Sequence, residues 1–191
     1  LKTIVSSATY RQSSVISSQK LEKDPRNEWL SRGARFRVRS EAIRDLTLQI
    51  SGLLSTKMGG PSVFPPQPES VLNDRFNEGG FRLWNTSKGE DRYRRALYTF
   101  FKRTTVYPMM TTFDAPDRTV CTVDRPRSNT PLQALNTLND PVFLEAAGAF
   151  ARLITLQHTT PVRRIDYAFR RALARQPNAR EAASMLEYYM K

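Results

Sequence analysis

Three proline steps, Thr130-Pro131, Asp140-Pro141 and Thr160-Pro161, and the box Asn178-x-x-Glu181 divide the last third of this chain into four helix starts. Proline at a first helical position has no intrahelical amide bond to lose, and its φ is already helical. The Thr, Asp or Asn in front of it can accept one of the free amides of the first turn. Thr130 with Gln133, and Asn178 with Glu181, have the spacing of capping boxes, in which two residues satisfy each other's amides. Apolar residues then recur at three- and four-residue intervals. They are Phe143, Ala146, Ala147, Phe150, Leu153 and Ile154 after the second start, Ile165, Ala168, Phe169, Ala172 and Leu173 after the third, and Met185, Leu186 and Tyr189 after the fourth. Residues 130–191 are therefore predicted to form a helical bundle. The fold class is mainly α.

Upstream the signals are sparser. Residues 1–11 read as a helix with Leu1, Ile4, Val5 and Ala8 on one face, followed by a polar loop over 12–20. Asp24-Pro25 has the form of a helix start, which predicts a short helix carrying Trp29 and Leu30 and ending near Gly33. Ser40 is read as the cap of an amphipathic helix whose stripe is Ile43, Leu46, Ile50, Leu53 and Leu54. Residues 56–90 hold five of the eight glycines and four of the twelve prolines, so they are predicted to be irregular, with a short extended piece at 81–84. Val63, Phe64, Val71, Leu72, Phe76, Phe81 and Trp84 make that segment an ordered loop packed over the core. Residues 92–103 suit a helix or a strand, with helix preferred, and 104–117 are expected to be extended or turned. The whole is read as a single domain over 1–191, an excerpt of a longer protein. It comprises N-terminal helices to 55, an irregular segment over 56–129 (long non-helical stretches near 56–90 and 105–129) and the C-terminal bundle.

Composition narrows the chemistry. The chain is long enough to bury a core without disulfides or metals, and ten Phe, seven Tyr and two Trp supply the volume. Its one cysteine, Cys121, excludes an internal disulfide, a thiolate zinc site and a CxxCH haem attachment. Its one histidine, His158, excludes HExxH and disfavours a Ser-His-Asp arrangement. No run approaches the length of a transmembrane helix. The net charge of +12, from 23 Arg and 7 Lys, invites a polyanion partner. The arginines are scattered, however, and no nucleic-acid motif is present, so nucleic acid is disfavoured. Part of this arginine content is expected to be structural, since the guanidinium suits buried bidentate pairing with carboxylates.

The one concentrated charge cluster is Asp114, Asp117, Arg118, Asp124, Arg125 and Arg127, surrounding Cys121. As a ligand site, its arginines would hold a carboxylate, sulfate or phosphate, flanked by acids able to bind a cation or move a proton. As a structural network, the same pairs would satisfy the backbone of a long non-helical segment. The second reading is favoured. Cys121 is read as a small buried residue rather than a nucleophile, and His158 as an exposed residue at a helix C-terminus. Met58, Met109 and Met110 are read as gap fillers rather than soft ligands. Gly59-Gly60-Pro61 could cradle an anion through its amides. Trp84, Tyr93, Tyr98 and Tyr107 are read as core rather than as a sugar-stacking platform.

The segments LYTFFKRT (97–104) and FDAPDRTVCTVDRPRSNTPLQALNTLNDPVFLEAA (113–147) resemble the core of the planctomycete PSD1 family, a domain of unknown function numbered 1553. VSSATYRQSS (5–14), ARFRVRSEAIRD (34–45) and SGLLSTKMGGPSVFPPQPE (51–69) are similar to the rest of that domain. The resemblance implies the C-terminal part of a large exported protein, periplasmic or at the cell surface, with a cytochrome c domain upstream. It supplies no catalytic residues. Haem c would belong to the upstream domain, and no cofactor or metal is expected in this segment. The leading functional expectation is a non-catalytic interaction or scaffold module docking on the upstream domains. The alternatives are an enzyme domain acting on an anionic extracellular substrate such as a sulfated glycan, and a polyanion-binding module.

Overall fold

The computed structural model describes residues 1–68, 84–102 and 106–191 and divides into two compact units, Leu1–Val38 and Arg39–Lys191. The expected extended piece at 81–84 falls, but for Trp84, outside the described residues, as do Val71, Leu72, Phe76 and Phe81.

The first unit contains two short helices, α1 (Lys2–Ser6) and α2 (Ser18–Lys23). The helix expected over 1–11 is thus confined to five residues, and a second helix occupies part of the expected loop, capped by the Ser17 hydroxyl. Asp24 does not start a helix. It ends α2, and its carboxylate accepts the amides of Glu28 (2.8 Å), Trp29 (3.2 Å) and Ser31 (3.4 Å). An N-cap serves the second or third amide after it, whereas Asp24 serves those four, five and seven residues on. Asn27 and Leu30, both at positive φ, turn the chain to allow this. Arg32 completes the knot, donating to the carbonyls of Asp24 (2.7 Å) and Pro25 (2.8 Å). Asp24 and Arg32 are the residues buried in this unit.

The second unit is mainly α. Its helices are α3 (Ser40–Ser51), α4 (Pro108–Thr112), α5 (Pro131–Asn139), α6 (Pro141–Gln157), α7 (Pro161–Leu173) and α8 (Ala179–Met190). The four predicted C-terminal starts are all observed. Asp140 accepts from the Val142 amide at 2.9 Å, and Asn178 and Glu181 exchange bonds of 2.9 Å each way. In chain order α5 packs on α6, α6 on α7 and α7 on α8, while α3 lies against α6 and α4.

Four expectations are corrected in this unit. Ser40 is the first helical residue of α3 rather than its cap, which is Arg39. The face of α3 that is fully buried carries Ser40, Arg44, Leu48 and Ser51, whereas Leu46 is exposed. An apolar-only count misjudged the phase because a core-facing position is filled by an arginine. Residues 92–102 form no α-helix. Two 3₁₀ turns, Gly89–Tyr93 and Ala96–Tyr98, flank an extended Arg94, and the backbone there pairs instead with residues 55 and 63 in two isolated parallel bridges. Residues 108–112, expected to be extended or turned, form α4, with Pro108 at its first position, one that proline favours.

The core of this unit is aromatic. Trp84 and Tyr107 stack at 5.7 Å with 5° between planes, Phe64 meets Trp84 edge-on at 5.1 Å, and Met109, Met110, Phe113 and Ala96 fill the remaining space. The described part of the loop packs over this core as expected, through Val63, Pro65 and Trp84, whose indole N–H donates to the Pro65 carbonyl at 2.7 Å. Gly52, at φ 78°, closes α3 in the left-handed conformation that glycine adopts at little cost.

Candidate functional site

The charged segment leaves α4 at Phe113 and returns to helix at Pro131. Asp114 stands at φ 63°, and its carboxylate accepts the Ser128 amide at 2.8 Å and the Ser128 hydroxyl at 2.8 Å. The buried Gln133 amide group then donates to Ser128 Oγ (3.0 Å) and to the Thr112 carbonyl (3.0 Å). Asp114, Ser128 and Gln133 thus form a clasp that joins the end of α4 to the start of α5. The loop between them projects outward.

The other cluster members face different partners. Asp117 closes a local turn by accepting the Thr119 amide (3.0 Å) and hydroxyl (2.8 Å), bonds that hold its carboxyl below the usual range. The Arg118 guanidinium lies 4.0 Å over the Phe101 ring. Arg125 reaches α3 and donates to both oxygens of Glu41, at 2.8 and 3.0 Å. Partial burial pushes Glu41 up, but its own amide, Arg125 and the Ser40 hydroxyl outweigh that and hold it below its usual value. Asp124 and Arg127 are exposed. The contacts of Asp114, Asp117, Arg118 and Arg125 thus lie in four different places: the start of α5, a local turn, Phe101 and α3. These contacts provide backbone satisfaction and loop closure.

Cys121, expected to be buried, is exposed, as are its neighbours Val120 and Val123. His158 ends α6 half-buried, its ring against Tyr167 at 5.0 Å and its carbonyl accepting from Arg164 at 2.8 Å. The Gly59-Gly60-Pro61 turn presents the opposite polarity from an anion cradle. The carbonyls of Lys57, Gly59 and Pro61 surround the buried Arg94 guanidinium, which lies 3.7 Å over the Tyr98 ring. Trp84 and Tyr107 are inside the core, and Tyr93 donates to Glu145 at 2.7 Å. Met109 and Met110 fill the core, whereas Met58 is exposed with its sulfur 3.7 Å from the Tyr98 hydroxyl. Among the described residues no group of three His, Cys, Asp or Glu is placed to hold a metal. No helix among them is long and apolar enough to cross a membrane.

Sequence reasoning missed a polar set in the interior. Arg44 is 0% exposed and, among the described residues, makes one hydrogen bond, to the Arg92 carbonyl at 3.0 Å. Arg92 itself pairs with Glu145 at 2.9 Å, which also takes the Tyr93 hydroxyl; burial and then Glu145 push that phenol up. Asp140, 3% exposed, is raised by burial against the bonds from Val142 and Asn136. Tyr107 is raised by burial and donates to the Pro66 carbonyl at 2.9 Å. The signal in the sequence was faint: Ser40, Arg44, Leu48 and Ser51 share a helix face only when an arginine is allowed inside. Arginine serves structure elsewhere too. Arg171 donates to the carbonyls of Ile50 (2.6 Å) and Gln49 (3.1 Å) at the C-terminal end of α3.

No curated protein and no solved structure matches the chain. One family model does, and it spans residues 1–189. The chain belongs to that family, PSD1, proteins of unknown function (DUF1553).

Proposed function

We propose that this chain is a non-catalytic interaction module that docks, through Leu1–Val38, onto a protein surface of the larger polypeptide it is part of. The observation that supports this is an inversion of burial in that unit. Its buried residues are Asp24 and Arg32, while Tyr10, Val15, Leu21, Trp29 (79% exposed) and Phe36 face solvent. A unit of this size cannot build an independent core, and a set of exposed aromatic and aliphatic side chains of this kind marks a protein contact. Eight lysines and arginines against three acids in the unit suit a partner surface that presents carboxylates. The likeness to exported proteins carrying a cytochrome c domain makes an upstream domain of that kind the proposed partner, outside the cytoplasm.

An enzyme acting on a sulfated glycan has less support, because Asp114, Asp117, Arg118 and Arg125 are engaged in clasps and turns. The deciding measurement is amide exchange across 10–37 in the full-length parent and in this chain alone. Docking predicts greater protection at Tyr10, Val15, Trp29 and Phe36 in the parent than in the isolated chain. Equal protection in both overturns the proposal. Protection conferred on the isolated chain by heparin, and lost at high salt, would favour the polyanion reading instead.

A further inference from the structure

We propose that the groove between α7 and α8 is a docking site for an amphipathic helix of a partner protein, one that presents an apolar ridge flanked by carboxylates. The groove has a volume of about 370 Å³, and its apolar wall is Val162 and Ile165 of α7 with Ala182, Ala183 and Leu186 of α8. Neither helix contributes a fully buried residue, although both carry apolar stripes. The row on α8 continues to Met190, four residues beyond Leu186 and 72% exposed. From Ala182 to Met190 it spans about 12 Å, a little over two helical turns. An apolar strip of that form receives a helix ridge through anchors three or four residues apart. The two alanines let a partner backbone approach closely, and methionine adapts its shape to what it meets.

Charge selects the flanks of the partner. Residues 161–191 carry seven Lys and Arg against three acids. All three acids are neutralised within the hairpin: Asp166 by Arg170 at 2.8 Å, Glu181 by Arg175 at 2.7 Å and Glu187 by Lys191 at 3.0 Å. Arg163, Arg164, Arg171 and Arg180 are left without a carboxylate among the described residues. Arg171 is engaged by the α3 carbonyls, and Arg164 by the His158 carbonyl and the Tyr189 hydroxyl. Arg163 and Arg180 are exposed; the first adjoins Val162, and the second stands one turn before Ala183. Each helix therefore sets one unpaired guanidinium beside the groove, where an Asp or Glu of the partner can take it bidentately.

The same balance disfavours a second copy of this chain as occupant, because two such hairpins would set like charges against each other. A small ligand is also a poorer fit, since its sites orient it with a few fixed polar groups. The polar residues lining this groove, Asp166 and Gln176, are not buried, and Asp166 is committed to Arg170. This docking acts on Arg39–Lys191 and is separate from the contact proposed for Leu1–Val38, so either can fail without the other.

The test titrates the full chain into a fluorescent peptide of about 20 residues, long enough to hold a helix, with leucine at every third or fourth position and glutamate on both flanks. Saturable binding is expected by anisotropy, and the same peptide with lysine in place of glutamate should bind at least about tenfold more weakly. Ala183→Trp fills the groove, and Arg163→Glu combined with Arg180→Glu reverses its flanks. Each should raise Kd about tenfold while the melting curve stays in place. Should Ala183→Trp disturb the fold, the two exposed arginines decide alone. Equal affinity for the two peptides, binding that a folded variant leaves unchanged, or no saturable binding would each overturn the proposal. A dimer in sedimentation that Ala183→Trp abolishes would give the groove to a second copy and overturn it as well.

Discussion

The two units solve the same problem in opposite ways. Leu1–Val38 buries an aspartate and an arginine and leaves its aromatic residues in solvent. Arg39–Lys191 buries Trp84, Tyr107, Met109 and Phe113 and surrounds that core with clasped loops. In the first, hydrogen bonds determine the shape and apolar side chains stay exposed. In the second, apolar burial supplies the stability and polar groups choose the register. The chain's two tryptophans belong one to each regime.

That pair offers the largest test. Trp84, 7% exposed, stacks on Tyr107 and bonds to Pro65. Trp84→Ala is expected to cost about 4 kcal/mol in a urea titration of the isolated chain, the usual range for a buried aromatic. Trp29→Ala is expected to change the same midpoint by less than about 0.5 kcal/mol, as for an exposed position. If Trp29→Ala costs as much as Trp84→Ala, the contrast between the units is wrong and Trp29 is covered within the chain itself.

The second test acts on the knot. Asp24→Ala removes the acceptor for three amides, so exchange at Glu28, Trp29 and Ser31 should become fast while the main melting transition of Arg39–Lys191 stays in place. The pH dependence has a definite sign. Burial pushes Asp24 up, but the bonds from Ser31, Glu28 and Trp29 prevail and its carboxyl is held below the ordinary value. The knot is therefore complete above that value and is lost as pH falls through the lowered one. Protection at these three amides that rises on acidification would refute this account.

The contrast also explains what was legible in the sequence. Capping acts locally, between residues three apart, so Thr130-Pro131, Asp140-Pro141, Thr160-Pro161 and Asn178-x-x-Glu181 could be read directly. Asp24-Pro25 carried the same local mark and misled, because its carboxylate serves amides up to seven residues away and the chain turns at Asn27. Arg44 was invisible for the complementary reason: its acceptor, the Arg92 carbonyl, lies 48 residues downstream. At the candidate site the preference for a structural network came from composition, but the particular clasp, Asp114 to Ser128 to Gln133, depends on a loop closure that no local pattern encodes.

A smaller effect is expected at α8, which has no fully buried residue and so depends more on its cap. Asn178→Ala should cost about 1 kcal/mol by thermal melting, the ordinary value of a lost N-cap. Glu181, held by Arg175 and the Asn178 amide down to about 2, should keep its half of the box intact through mild acid. Its contribution is present above its ordinary value of 4.5 and is lost as pH approaches 2. Exchange at the Asn178 amide, followed from pH 5 downward in the native protein and in Glu181→Gln, should show that loss only in the native protein.

The smallest effect is expected at Arg125, and it is the one that divides the two readings of the charged segment. Its pair with Glu41 is about 30% exposed on both sides, so solvent screens much of the attraction. A double-mutant cycle with Arg125→Ala and Glu41→Ala should give a coupling of about 0.5–1 kcal/mol. Because Glu41 is held below its ordinary value, that coupling should be full near neutral pH and vanish as pH falls through the lowered value. Sulfate titrated against the native protein and Arg125→Ala supplies the second readout. A network that serves only structure predicts the small coupling and no difference in sulfate response. If Arg125→Ala leaves the melting curve unmoved but abolishes a saturable sulfate response, the segment is a ligand site, and the clasps around Asp114 are its frame.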